Sequence, residues 1–217
     1  MMMVKYKHLE LKFNMAITSI KTGSSFTNLK KYDSFLAGNP AFGANSYESI
    51  ATYTIGSDTA SVTFSSIPST YANLQIRFTA RKNGTQNDSV GMGMQFNGDD
   101  TSSYNSHYLQ GDGTSATGYS SGASMTTIGN IYFAGGGMTA NTFGPGVIDI
   151  LDYANTNKYK ATRQLSGISS NATVADRDYL LYGSGLWRST SAITSITLTG
   201  NSFAQYSHFA LYGIKGV

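Results

Sequence analysis

Beyond Tyr47 the sequence follows a two-residue period, and this period constrains the fold more than any motif does. In residues 73–80, the apolar residues Leu74, Ile76 and Phe78 alternate with polar residues. Such alternation places the two sets on opposite faces of a β-strand. Further candidate strands lie at residues 62–64, 92–96, 128–134, 147–153, 159–165, 179–182, 193–199 and 208–214. Because no helical pattern separates them, the sequence predicts an all-β, antiparallel β-sandwich.

The composition agrees with many short strands joined by tight turns. Ser, Thr and Gly make up about a third of the chain, alongside 15 Tyr and only 3 Pro. Charged residues are 12%, against about 25% in an average protein, which excludes helical bundles and coiled coils. We therefore predict two regions: an arm at residues 1–45 and a jelly-roll-like sandwich at residues 46–217.

The arm contains one helical pattern, at residues 24–38. Its apolar residues recur every three or four positions, and Gly38 followed by Pro40 ends the pattern. A helix of three turns is marginal alone in water, so its apolar side must dock on the body or on a neighbouring subunit. The residues predicted to bind a partner are Lys21, Phe26, Leu29, Lys30, Lys31, Tyr32 and Leu36.

Charge is distributed unevenly between the arm and the body. Residues 1–31 carry six Lys and one Glu, a net charge of +5, so the remainder carries −2 of the total of +3. A basic arm can bind a negatively charged surface, or it can serve only as a soluble leader. Six lysines without a cluster of arginines argue against nucleic acid as the partner.

The sequence offers little for catalysis. There is no cysteine, and the three histidines, His8, His107 and His208, are far apart with no metal-ligand spacing. The carboxylate pairs that a glycosidase would need are Asp149 with Asp152, or Asp176 with Asp178. Neither pair lies in a convincing cleft pattern, so we expect no enzyme activity and no cofactor.

Residues 97–101 (NGDDT) could form a calcium loop or a plain turn. The EF-hand pattern of alternating ligands and a distal Glu is missing, so the sequence favours a plain turn and no metal. No run of apolar residues is long enough to span a membrane.

Aromatic residues in or beside predicted loops rich in Ser, Asn and Gly form a candidate binding surface. Tyr and Trp among Ser, Asn and Gly are typical of surfaces that bind sugars or proteins. The alternative is structural: Trp187 packs between the sheets and the tyrosines cover loop ends. The candidates are Tyr104, Tyr108, Tyr119, Trp187 and Tyr206.

An ordered series of short motifs runs through the chain. It comprises YESIAT (47–52), FSSIPSTY (64–71), LQIR (74–77), FNGD (96–99), LQGDG (109–113), VIDILDY (147–153), ITSITL (193–198) and FALYGI (209–214), with Tyr104 and Trp187. From Met15 onward the chain resembles a family of tailed-phage virion proteins common in marine and cyanobacterial phages. The resemblance implies a jelly-roll body with a structural role on the capsid or tail.

Two functions follow as expectations from this resemblance. The first is a head decoration or cement protein on the capsid surface, forming a homotrimer and binding the major capsid protein through its arm. The second is a tail-fibre or receptor-binding module that recognises host-surface glycans. A depolymerase is disfavoured, because no convincing pair of acids is present.

Overall fold

A computed structural model describes residues 46–85, 90–169 and 178–216. Within these ranges the chain forms twelve β-strands and no helix. The predicted helix at residues 24–38 and the partner-binding residues of the arm, Lys21 to Leu36, lie outside the described residues. The strands are β1 (Tyr47–Thr54), β2 (Thr59–Phe64), β3 (Asn73–Ala80), β4 (Val90–Phe96), β5 (Tyr104–Gly111), β6 (Ala116–Met125), β7 (Ile128–Phe133), β8 (Gly144–Leu151), β9 (Lys160–Ile168), β10 (Tyr179–Trp187), β11 (Ile196–Phe203) and β12 (His208–Ile214).

The strands form two antiparallel sheets that pack as a sandwich. The large sheet has the order β1-β12-β3-β8-β9-β10-β5-β6, and the small sheet has the order β2-β11-β4-β7. Without β5, β6, β9 and β10, eight strands remain in two groups of four, β1-β12-β3-β8 and β2-β11-β4-β7. Both groups have the strand order of a jelly roll. The predicted all-β sandwich with a jelly-roll-like topology is confirmed.

Two insertions extend the large sheet. Strands β5 and β6 are inserted between β4 and β7, and strands β9 and β10 between β8 and β11. Together they add four strands beyond β8, in the order β9-β10-β5-β6. We call these four strands the extension. Because the small sheet has only four strands, the large sheet presents a much wider surface than the small one.

The core lies between the two sheets and contains large side chains from both. Leu74, Ile76 and Phe78 of β3 are buried, as their alternation predicts. Phe203 of β11 bridges the sheets, since its ring lies 4.8 Å from Phe209 of β12 and 5.4 Å from Phe133 of β7. Such interdigitation of aromatic rings from facing sheets is what closes a sandwich.

Strands β5 and β6 correct the sequence analysis, which placed Tyr104, Tyr108 and Tyr119 in or beside loops. All three lie on strands. Ser, Gly, Asn and Gln dominate these segments, so apolar alternation is weak. The strand conformation comes instead from long-range pairing: β5 aligns with β10 from Tyr104↔Trp187 to Gly111↔Leu180.

The inner side of the extension differs from the main core. Thr162, Gln164 and Ser166 of β9 are buried there beside β7. The Gln164 amide donates to the carbonyl of Gly129 at 3.2 Å, and the Ser166 hydroxyl accepts from the Tyr132 amide at 3.2 Å. Polar side chains therefore join the extension to β7.

Candidate functional site

The side of the large sheet that faces away from the small sheet, called here the outer face, carries exposed apolar side chains on adjacent strands. Leu165 is 43% exposed, Tyr182 51% and Leu109 60%. They pair directly across strands, as Leu165↔Tyr182 and Tyr182↔Leu109, and Val147 pairs with Leu165. The apolar row is Val147, Leu165, Tyr182 and Leu109. A continuous exposed row of this kind is unlike the scattered apolar residues of an ordinary surface.

Glycines flank the apolar row and shape its surface. Leu180, 61% exposed, pairs with Gly167 on one side and Gly111 on the other. Gly118 pairs with Leu109 at the other end of the row. A groove of about 460 Å³ lies at the Gly118 end of the row. The residues that line it include His107, Tyr108, Leu109, Tyr119, Ser120, Tyr182 and Ser184.

A polar row runs beside the apolar row on the same face. Arg163 donates to Asp149 Oδ2 from Nη2 at 2.7 Å and from Nε at 3.1 Å, while Gln75 donates to Asp149 Oδ1 at 2.7 Å. Hydrogen bonds and the nearby charge of Asp149 raise the pKa of Arg163. The charges of the polar row are therefore paired within the sheet, and the face carries no concentrated charge of one sign.

At the β1 edge, the outer face ends in a cation–π cluster. The Arg77 guanidinium carbon lies 5.1 Å from the ring centre of Tyr47 and 5.2 Å from that of Tyr212. Arg77 Nε also donates to Gln75 Oε1 at 2.7 Å, which joins this cluster to the polar row. These contacts hold the polar and aromatic side chains of the outer face in place between β1 and β9.

Trp187 and Tyr104 do not form a binding surface. Trp187 is only 2% exposed, and its ring stacks on that of Tyr104 with centroids 6.2 Å apart. Tyr104 donates to the carbonyl of Asp99 at 3.1 Å, and burial raises the pKa of its phenol to about 12. Both side chains are buried between the sheets, as the structural alternative predicted for Trp187, so neither is exposed to bind a glycan in this structure.

The remaining aromatic candidates lie in two places, since Tyr108 and Tyr119 both border the groove and Tyr206 does not. Tyr108 and Tyr119 stack with ring centres 5.0 Å apart at the far end of the extension. Tyr206 lies in the turn between β11 and β12 and is 69% exposed. The structure does not bring the five predicted aromatics into one site. Tyr182 and Leu109, which the sequence analysis did not select, form the exposed surface instead.

The candidate carboxylates have structural partners. Asp149 binds Arg163 on the outer face, while Asp152 forms an ion pair with Lys158 at 2.5 Å. Asp178 accepts from Ser169 at 3.3 Å, and Asp176 lies outside the described residues. His107 lies on β5 and His208 on β12. The ion pairs and hydrogen bonds of Asp149, Asp152 and Asp178 join strands and turns.

The turn at residues 97–101 is built around Asp99. Asp99 Oδ2 accepts from Trp187 Nε1 and Ser103 Oγ, both at 2.6 Å, and Oδ1 accepts from the Thr101 amide at 3.0 Å. Burial opposes the charge, but the hydrogen bonds from Ser103, Thr101 and Trp187 outweigh it and hold the pKa of Asp99 well below its ordinary value. Protein donors thus occupy both carboxylate oxygens.

The described ranges contain neither a cluster of metal ligands nor a membrane-spanning helix. Residues 46–85, 90–169 and 178–216 hold no cluster of three or more His, Asp or Glu that could bind a metal ion. None of the described residues form a helix long and apolar enough to cross a membrane. Comparison with known proteins finds no matching protein family, no matching characterised protein and no matching solved structure.

Proposed function

We propose that this protein is a structural component of a virion, a capsid decoration or cement protein that works by adhesion to other protein subunits. The observation that carries the proposal is the exposed apolar row on the outer face of the extended sheet. Large contiguous apolar surfaces on folded proteins mark sites of protein–protein contact. The resemblance of the motif series to tailed-phage virion proteins is the reason for proposing a phage virion as the particle.

Adhesion suits the build of the outer face. The apolar row contributes area that is removed from water on contact, worth about 25 cal/mol per Å². The neighbouring polar row is already paired through Asp149 and Arg163, so a partner meets no unpaired charge there. A surface of paired charges and exposed Leu and Tyr side chains can bind another protein without catalysing a reaction.

The basic arm supplies a second contact in this proposal. Residues 1–31 carry a net charge of +5, and the apolar residues Phe26, Leu29 and Leu36 recur at helical spacing. We assign these residues to grooves of the major capsid protein. Wrapping an arm around a partner gains contact area that a small body cannot supply alone. The expected homotrimer stays a prediction.

Copy number tests the proposal. A decoration protein should be present in numbers comparable to the major capsid protein, as measured by quantitative mass spectrometry of purified particles. The triple variant Phe26→Asp, Leu29→Asp, Leu36→Asp should be lost from particles while its body still folds. The variant Ser61→Asp, which adds a charge to the small sheet outside the arm and the outer face, is the control and should stay on particles. Absence of the protein from particles, or only a few copies of it, would contradict the decoration role.

A tail-fibre module that binds glycans is the second candidate, and the groove on the outer face favours it. Tyr182 and Leu109 offer an apolar platform, and His107, Ser120 and Ser184 offer polar groups beside it. This combination can stack a sugar ring and hydrogen-bond its hydroxyls. A glycan array would then show binding that is lost in Tyr182→Ala and kept in Tyr206→Ala, with few copies per particle.

A further inference from the structure

We propose that the outer face binds a second copy of this chain, with the two large sheets packed face to face about a two-fold axis. The axis runs parallel to the strands and lies between β9 and β10. The second copy is then the partner of the outer face. This proposal rests on the proposed function only in the claim that the outer face binds protein. Three features of the outer face support this arrangement: the pattern of its residues, the pairing of its charges and its area.

The rows of the outer face are self-complementary under such an axis. A two-fold axis parallel to the strands keeps each residue at its height along the strand, so every row meets its own copy. Across the axis, Leu165 of β9 meets Tyr182 of the second copy's β10. One strand further out, Val147 of β8 meets Leu109 of β5 in the second copy. The apolar row therefore packs on the apolar row.

A projecting leucine and a glycine lie next to each other beside the apolar row. Leu180 projects from β10, and Gly167, directly paired with it on β9, has no side chain. Leu180 Cδ1 lies 3.5 Å from the position that a Cβ on Gly167 of the same chain would take, so both residues present the same side of the sheet and Leu180 leans over part of the gap. Across the axis, Leu180 of each copy meets Gly167 of the other. Interdigitation of a large side chain with a glycine is how facing sheets pack about 10 Å apart.

The polar row fits the same arrangement. Asp149 faces His107 of the second copy, and Arg163 faces Ser184 of the second copy. Each copy brings its Asp149–Arg163 ion pair already formed, with Nη2 2.7 Å from Oδ2. Arg163 therefore does not face a second copy of itself, as it would if the axis lay along β9. The interface brings no like charges directly together.

The area is close to that of a stable interface. The axis lies at the centre of six strands, in the order β3-β8-β9-β10-β5-β6. Six strands about 4.8 Å apart, each about seven residues long at about 3.4 Å per residue, cover a flat area of about 700 Å². Standard interfaces bury about 800 Å² on each partner. A second copy of the same sheet is a partner of the right size.

Molar mass measured by light scattering on the purified full-length chain tests this inference. We expect two chains of 23.2 kDa each, or six if the predicted homotrimer also forms. The variant Leu180→Lys should halve the mass because it places a charge in the contact beside the apolar row. Tyr206→Lys, at an equally exposed aromatic residue outside the outer face, should leave the mass unchanged. A mass of one or three chains, or a mass that Leu180→Lys does not change, would overturn the inference.

Cross-linking gives an independent readout, because the chain has no cysteine. Ser184 lies next to the axis, so Ser184→Cys should form a covalent dimer with a short bismaleimide. Ser61→Cys on β2 of the small sheet is the matched control and should stay monomeric on a denaturing gel. Equal cross-linking of the two variants would also overturn the inference. These measurements use no virion, so they can fail or succeed independently of the copy-number test of the decoration role.

Discussion

At the scale of single residues, Asp99 joins two parts of the chain, its own turn and the end of β10. It accepts hydrogen bonds from Thr101 and Ser103 in its own turn and from Trp187 at the end of β10. Asp99→Ala would leave the buried Trp187 Nε1 without its acceptor, and we expect a loss of about 3 kcal/mol in the free energy of unfolding. Asp100→Ala, at the exposed neighbouring residue, is the control. Urea denaturation measures both; equal stability of the two variants would contradict this role.

The low pKa of Asp99 also predicts the pH dependence of stability. The folded protein holds this carboxylate ionised more strongly than the unfolded chain, where the pKa of Asp is about 3.9. Its contribution is complete above that pH and falls as the pH is lowered further towards the folded-state pKa. Unfolding free energies measured from pH 5 down to pH 2 should therefore fall less steeply in Asp99→Ala than in the unchanged chain.

Lys160 is a buried cation held by backbone carbonyls. Its Nζ donates to the carbonyls of Asn155 at 2.6 Å, Lys158 at 2.9 Å and Thr190 at 3.1 Å, and the residue is fully buried. Lys160→Met would remove these donors and should cost about 3 kcal/mol. Lys158→Met breaks only an exposed ion pair with Asp152 and should cost less than about 1 kcal/mol. Thermal unfolding of the two variants checks the contrast.

At the scale of elements, glycines on β10 let the extension pack against its neighbours. A Cβ on Gly185 would lie 2.5 Å from Ile128 Cγ2 and 2.7 Å from Thr162 Oγ1. Gly185→Ala should therefore destabilise the fold by about 1–3 kcal/mol. Gly118→Ala on β6 meets only Leu109 Cδ2 at 3.6 Å, an ordinary contact, and should be nearly neutral. Stability of Gly185→Ala equal to that of Gly118→Ala would show that the extension packs differently.

The sequence predicts the alternating strands well, and in the extension it predicts β9 and β10 but not β5 and β6. Strands β3 and β12 have the predicted bounds, because their buried apolar residues alternate or run continuously. Strand β5 was missed since it is stabilised by pairing with the distant strand β10, and β6 was missed since it is stabilised by pairing with β5 and by the stacking of Tyr108 on Tyr119. Local pattern cannot reveal a strand whose side chains are mostly Ser, Gly and Tyr.

At the scale of the whole molecule, the outer face could not be read from the sequence for a related reason. Leu109, Leu165 and Tyr182 are more than fifty residues apart at the extremes, and only the register of β9, β10 and β5 aligns them. The sequence analysis predicted strands at residues 159–165 and 179–182 but not how they pair. It could not place the surface, because a one-residue change of register would turn these side chains inward.

The jelly-roll strands and the inserted strands have different roles in the molecule. The eight jelly-roll strands enclose the aromatic core, and the four strands of the extension carry most of the apolar row. A continuous row of exposed Leu and Tyr side chains on one face of a sheet is typical of a surface that another protein covers. We therefore infer that the extension is an interface and, as the central claim, that the outer face is buried in the assembled particle.

Electron cryomicroscopy of the particle tests this claim most directly. The body should appear as density for a jelly roll in many copies, with Leu109, Leu165, Leu180 and Tyr182 in contact with a second copy of the same sheet. Bodies in which these four side chains face open solvent, while another surface makes the contacts, would contradict the account.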